Sequence, residues 1–180
     1  MLDQRRRVLH AIEQLPKPTI ATLFGYCLGG GLELPLACTF RLAAADDAKI
    51  GLPELDLGTV PAWGGTARLT RCVGRANAAD VILRGRMLSG PEALAVGLVT
   101  EVHPTVELKA AAQALALELA TKPPIAVAGV LRSIGAAAEE PLDVALDAER
   151  AAVHDCARSK DQIEGMQAFL EKRPPRFSGE

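Results

Sequence analysis

Residues 25–38 read GYCLGGGLELPLAC, from Gly25 to Cys38, and the fold turns on how that stretch is read. Gly29, Gly30 and Gly31 remove every Cβ from that short stretch, so the backbone can take strained angles and a ligand can approach its amides closely. The residues after them, Leu32 to Phe40, have the apolar density of a buried helix, which predicts a glycine loop at a helix N-terminus. Exposed N–H groups and the positive end of the helix dipole favour developing negative charge there. An acyl oxygen that becomes enolate-like in a transition state is the kind of atom such a loop stabilises.

Glu33 follows the glycines after one residue, Leu32, and 21 positions later Leu52-Pro53-Glu54 brings a second acid. Two carboxyl groups near a carbonyl-binding loop suit general acid–base chemistry, provided their environments drive their pKa values apart. Each acid has a plainer reading too. Glu33 suits a helix start, and Glu54 suits a solvated turn.

Working outward, Val8, Leu9, Ile12 and Leu15 recur at helical spacing from almost the first residue, so the chain reads as opening inside a regular element. Pro16-Lys17-Pro18 breaks that helix, and Thr19 to Phe24 is predicted as a short buried strand leading to a turn at Gly25. Phe40 to Ala45 is a second strand, Asp46-Asp47 a turn, and Lys49 to Glu54 an extended piece ending at the second acid. Pro61-Ala62-Trp63-Gly64-Gly65 is another glycine turn, with Thr66 the expected cap of the next helix. Ser89-Gly90-Pro91-Glu92 has the form of a capping box, its helix stopping at Gly97 before a strand over Leu98 to Val102. From Glu107 to Phe169 the pattern is helical, broken at Pro123-Pro124 and at Glu139-Glu140-Pro141.

With 180 residues, the chain can bury about 70% of its unfolded surface in one domain. Apolar residues make up 49% and aromatics 3%, so the core must come from Ala, Leu and Val. A net charge of −2 leaves no electrostatic footprint for nucleic acid. Cys27, Cys38, Cys72 and Cys156 fit neither a zinc pattern nor a compact disulfide framework and read as small buried hydrophobes in a reducing compartment. No apolar run approaches the roughly 18 residues of a membrane span, and the expectation is a soluble, intracellular protein.

Four stretches, GYCLGGGLELPLAC, IGLPELDLGTVPAWGGTARLTR, LSGPEALAVGLV and EGMQAFLEKRPPRFSGE, resemble the crotonase superfamily of enoyl-CoA hydratases and isomerases, in family order across essentially the whole chain. The last is most similar to the methylglutaconyl-CoA hydratase branch. The resemblance implies an α/β fold, a crotonase-like (ββα) superhelix over 1–104 followed by a helical region over 105–180 for oligomerisation and closure over CoA. The family's first portion has no counterpart before Met1, so the chain reads as N-terminally truncated.

By the same resemblance, Gly30 donates an N–H to the thioester oxygen while Glu33 and Glu54 hold a water and exchange protons with it and with the substrate carbon. Which acid gives and which takes is left open. Pro53 and Leu57 line the acyl pocket, with Gly29, Trp63, Gly64 and Gly65 alongside. Phe169 closes over CoA and Lys172 offers a point charge for phosphate. The implied reaction is hydration of a 2-enoyl-CoA in fatty-acid or branched-chain amino-acid breakdown. It takes no cofactor and no metal, since coenzyme A is part of the substrate.

The implied assembly is a homotrimer or dimer of trimers, without membrane or nucleic-acid partners, in a bacterial cytoplasm or mitochondrial matrix. Departures from the family pattern are one extra residue between the glutamates, Thr39 in place of a common aspartate, Pro35 inside the helix, and Trp63 where glycine or alanine is frequent. The Trp63 context resembles acyl-CoA decarboxylases, which with double-bond isomerisation form the alternative chemistry. From a different class, a non-catalytic assembly or binding subunit is the competing expectation.

Overall fold

The computed structural model of the chain describes residues 2–180. It divides into two compact units, the first built from residues 2–13 and 19–115 and the second from 14–18 and 116–180.

In the first unit, helix α1 (Leu2–Glu13) precedes strands β1 (Ile20–Leu23) and β2 (Tyr26–Leu28), helix α2 (Gly30–Leu36), and strands β3 (Phe40–Ala44) and β4 (Lys49–Gly51). A 3-10 helix (Glu54–Leu57), α3 (Gly65–Leu83), α4 (Gly90–Ala95), β5 (Glu101–His103) and the start of α5 (Thr105–Ala120) complete it. Successive strands alternate between two parallel sheets, β1-β3-β5 and β2-β4. Ile20 pairs with Phe40 in one, and Cys27 with Ile50 in the other. Each coil of chain therefore runs strand, strand, helix, the ββα rhythm expected from the sequence. Leu23, Leu32, Leu42, Ile50, Leu52, Leu69, Leu88 and Leu98 are fully buried between the layers. Aliphatic side chains do the packing that aromatics do elsewhere.

Polar contacts fix the register of this unit. Thr19 and Thr39 exchange bonds, each backbone N–H donating to the other's hydroxyl at 3.1 and 3.0 Å, which ties the entry of β1 to that of β3. Arg41 donates from Nε to the Leu98 carbonyl at 2.7 Å and from Nη1 to the Cys38 carbonyl at 2.6 Å, with a longer bond to Pro35 at 3.4 Å. A cation thus meets the carbonyl end of α2, where positive charge is favoured.

Several local expectations are corrected. The glycine run is not a loop: Gly30 and Gly31 are already helical, and Gly29, at φ 55° and ψ −125°, is the one in a glycine-only conformation. A short strand, β2, precedes it where only a turn was expected, because Gly29 N–H and Lys49 N–H reach across to the Gly51 and Gly25 carbonyls. Thr66 is not a cap. Gly64, at φ 107°, caps α3, and its carbonyl accepts the first turn's bond from Arg68 N–H at 2.9 Å. The last strand starts at Glu101 rather than Leu98, since the Leu98 and Val99 amides close the end of α4 on the Ala93 carbonyl. Glu54 opens a 3-10 turn instead of ending an extended piece. The Ser89–Glu92 capping box is formed in both directions. Along α1, only Leu9 is buried; Val8 is half-exposed.

The second unit holds the end of α5 together with α6 (Pro124–Glu139), α7 (Leu142–Ala157) and α8 (Lys160–Glu171). The chain breaks before α6 at Pro123-Pro124 and before α7 at Glu140-Pro141, as the sequence predicts. Helices α6 and α7 meet closely at Gly129, where a Cβ would lie 2.7 Å from that of Ala152. The terminal segment 174–180 folds back on α8: buried Asp161 accepts the Ser178 and Gly179 amides at 2.6 and 3.0 Å, and Glu164 accepts Arg176 N–H at 2.8 Å. Arg173 grips the same Glu164 through both terminal nitrogens, which with the Arg176 amide lowers that carboxyl to about 2. Among the described residues, no single helix is long and apolar enough to cross a membrane.

Candidate active site

Glu33 is buried in the first turn of α2 and held by the PAWGG turn. Its Oε1 accepts the backbone N–H of Trp63 and of Gly65, each at 2.8 Å. Two amide donors on one oxygen fix the rotamer. Gly65 is required for this fit, since a Cβ there would come 2.9 Å from both Cγ and Oε1 of Glu33.

Glu54 reaches the same place from the 3-10 helix. A Cβ built on Gly29 would lie 3.3 Å from Glu54 Oε1, so the carboxyl lies against the glycine that precedes α2. Burial pushes the Glu54 carboxyl above its ordinary range, its own amide pulls it back, and the Glu33 charge raises it further. Its Oε2 is buried without a hydrogen-bond partner among the described residues. An orphaned buried acceptor is uncommon in folded proteins and is usually explained by function or by an ordered water. The two acids therefore sense each other electrostatically and differ in surroundings: one is saturated by amides on one oxygen, the other desolvated with one oxygen unpartnered among the described residues.

Gly30 opens α2, where a first-turn N–H has no intrahelical acceptor. The helix has seven residues with Pro35 inside it, so its dipole is short and the amide itself is the asset. The Trp63 ring lies against Gly30: a Cβ there would be 2.4 Å from Cζ3 and 2.6 Å from Cη2. Arg68 braces the turn by donating to the Trp63 carbonyl at 2.8 Å and gripping Glu13 at 2.6 and 2.7 Å.

Gly29, Gly30, Glu33, Pro53, Glu54, Trp63, Gly64 and Gly65 thus all belong to the first unit, with both acids, Gly29, Gly30, Trp63 and Gly65 linked by the contacts above. Leu57 ends the 3-10 helix and is 82% exposed. Phe169 and Lys172 belong to the second unit. Phe169 is exposed on α8, and Lys172 caps that helix in a left-handed conformation at φ 55°. Sequence reasoning missed Arg5, whose guanidinium carbon lies 4.4 Å from the centroid of the Trp63 ring, and Arg68. The Arg5-Arg6-Arg7 run on α1 was the available signal.

The family model for enoyl-CoA hydratase/isomerase matches residues 3–180. The chain belongs to the enoyl-CoA hydratase/isomerase family. A Bacillus subtilis (strain 168) member named "Probable enoyl-CoA hydratase" is 42% identical over 100% of this chain and 70% of its own length. The mitochondrial methylglutaconyl-CoA hydratase of Rattus norvegicus is 44% identical over 97% of the chain and 56% of its own. Among solved structures, an enoyl-CoA hydratase from Bacillus anthracis superposes with a TM-score of 0.95 at 41% identity, covering 99% of this chain and 69% of that one. The chain thus spans between about half and 70% of the length of these crotonase-fold relatives.

Proposed function

We propose that this family member adds water across the 2,3 double bond of an enoyl-CoA thioester. The observation that carries the reading is the pairing of two electrostatically coupled acids, one of them with a buried, unpartnered oxygen, beside a first-turn amide.

The thioester oxygen accepts the Gly30 N–H, which polarises the conjugated system and withdraws charge from the β-carbon. Glu33, oriented by the Trp63 and Gly65 amides, takes a proton from water as its oxygen bonds to that carbon. The double-bond electrons move toward the thioester as an enolate. Glu54, whose burial favours the protonated carboxyl, returns a proton to the α-carbon. One water is consumed, and one C–O and one C–H bond form.

Pro53, Leu57 and the amides about Gly29, Gly64 and Gly65 are assigned to the acyl and thioester contacts, and Phe169 and Lys172 to CoA. Exposed apolar residues of the second unit, among them Leu142, Leu146, Val153 and Ile163, support assembly as a homotrimer or dimer of trimers. The test is loss of the enoyl-thioester absorbance with the wild type, Glu33→Gln and Glu54→Gln. Activity in the wild type and a fall of about 100-fold or more in each variant is expected; equal rates in all three end the assignment.

A further inference from the structure

Among the described residues of helix α1, Leu9 alone is buried, yet three other side chains on that helix reach a single feature of the fold, the PAWGG turn at residues 61–65. Arg6 donates Nε to the Ala62 carbonyl at 3.0 Å, and the Arg5 guanidinium carbon stands 4.4 Å from the centroid of the Trp63 ring. Glu13 holds Arg68, which in turn reaches the Trp63 carbonyl. Arg6, Leu9 and Glu13 stand at i, i+3 and i+7, so two of the side chains that tie the helix to the turn share the face on which Leu9 is buried.

The Glu13–Arg68 pair is the most closely fitted of these ties. Nε and Nη2 of Arg68 donate to Oε1 and Oε2 of Glu13 at 2.6 and 2.7 Å, the two-pronged match of guanidinium and carboxylate, while Nη1 donates to the Trp63 carbonyl at 2.8 Å. The two side chains are 16% and 29% exposed, so salt screens this pair less than an open surface bridge. A Cβ on Gly64 would collide with the same Nη1, which places the guanidinium against the left-handed glycine of the turn.

The turn gripped in this way is the one that orients Glu33. Its Trp63 carbonyl accepts from Arg68, while its Trp63 and Gly65 amides donate to Glu33 Oε1 at 2.8 Å each. Any shift of the turn therefore moves both donors on which the Glu33 carboxyl rests. A misplacement of about 1 Å, caused far from the reacting atoms, can cost about 100-fold in rate.

Resting on the hydratase reading, we propose that the Glu13–Arg68 ion pair is a positioning device for Glu33, holding the Trp63 and Gly65 amides in register with its carboxyl and thereby setting kcat without touching substrate. Because the pair acts through the base, its loss leaves KM in place. Arginine is required at position 68, since three nitrogens are used in fixed directions and a lysine supplies one.

The experiment joins amide hydrogen exchange, read residue by residue by NMR, with hydration of crotonyl-CoA, in the wild type, Glu13→Ala, Arg68→Gln and Arg68→Lys. Exchange of the Trp63 and Gly65 amides about 10-fold faster in each variant, with the amides of buried Leu42 and Ile50 unchanged, is the expected result. With it, kcat falls about 10- to 100-fold while KM stays within about 2-fold. Unchanged exchange at the two amides, a kcat left at its wild-type value, or a loss that falls on KM instead overturns the proposal. So does faster exchange spread equally over Leu42 and Ile50, which would make the pair a general stabiliser of the unit. Full activity in Arg68→Lys overturns it as well, since charge alone would then suffice. A wild type that does not hydrate crotonyl-CoA refutes the hydratase reading by itself. Exchange at Trp63 and Gly65 then decides the positioning claim, upheld by a selective loss of protection in the three variants and overturned without one.

Discussion

Gly65 and Glu33 are in mutual contact such that a single methyl group on the first would stand 2.9 Å from the carboxyl oxygen of the second. The glycine is an ordinary helical residue by its backbone, so the constraint is spatial rather than conformational. Gly65→Ala should therefore push the Glu33 carboxyl off its two amides while leaving α3 intact. The expected result is a fall of about 100-fold in kcat together with an overpacking cost of about 1–3 kcal/mol, read from turnover and from urea midpoints. Near-normal turnover would mean that Glu33 is not the base.

Gly30 and Trp63 form a second steric pair. Gly30→Ala should destabilise the first unit by about 1–3 kcal/mol, because the new Cβ runs into the indole edge. Trp63→Ala removes that edge, so the double variant should recover most of the loss, a non-additivity measurable in a double-mutant cycle. Additive losses would place the clash elsewhere.

The pH dependence follows from Glu54. Its folded-state pKa is raised above the ordinary 4.5, so its contribution to stability is fully present below that value and is lost as pH rises through the folded value. Glu54→Gln should flatten that part of the stability curve. If the protonated carboxyl serves the α-carbon, kcat should also fall on the alkaline side of the raised pKa, and an unchanged alkaline limb in a conservative Glu54→Asp variant would argue against the assignment.

Lys172 holds a left-handed conformation that a lysine adopts at a cost of about 1–2 kcal/mol. Lys172→Gly should recover up to about 1 kcal/mol at the end of α8. If the lysine also meets a CoA phosphate, the same variant should weaken CoA binding, with the loss shrinking at high salt. A more stable variant with unaltered CoA affinity would confine Lys172 to the helix end.

Asp161 is buried and accepts two amides from the terminal segment. Asp161→Ala should release residues 174–180 from α8, seen as faster tryptic cleavage after Arg176 with little change in helix content. Unchanged cleavage would show that the Glu164 contacts suffice to hold the segment.

Much of this was legible in the chain. The strand, strand, helix rhythm, both acids, the glycine run and the Ser89 capping box are local patterns, set by spacing and by residues whose backbone preferences are strong. The boundaries that failed did so where distant groups decide the outcome. Thr66 looks like a cap, yet Gly64 takes that role because its positive φ lets its carbonyl meet Arg68. Leu98 looks like a strand residue, but its amide is drawn to the end of α4. Arg5 carries no local signal of its partner, because its approach to the Trp63 ring, like the bond from Arg6 to the Ala62 carbonyl, spans more than fifty residues of chain.

The guanidinium of Arg41 ties the far end of the two-turn helix bearing Glu33 to the Leu98 carbonyl, beyond α4. A helix of seven residues offers little length over which to absorb a displacement at that anchor. On the proposed mechanism, a displacement of the segment around Leu98 would reach the Glu33 carboxyl as a small rotation, a route to altered rate that touches none of the reacting atoms.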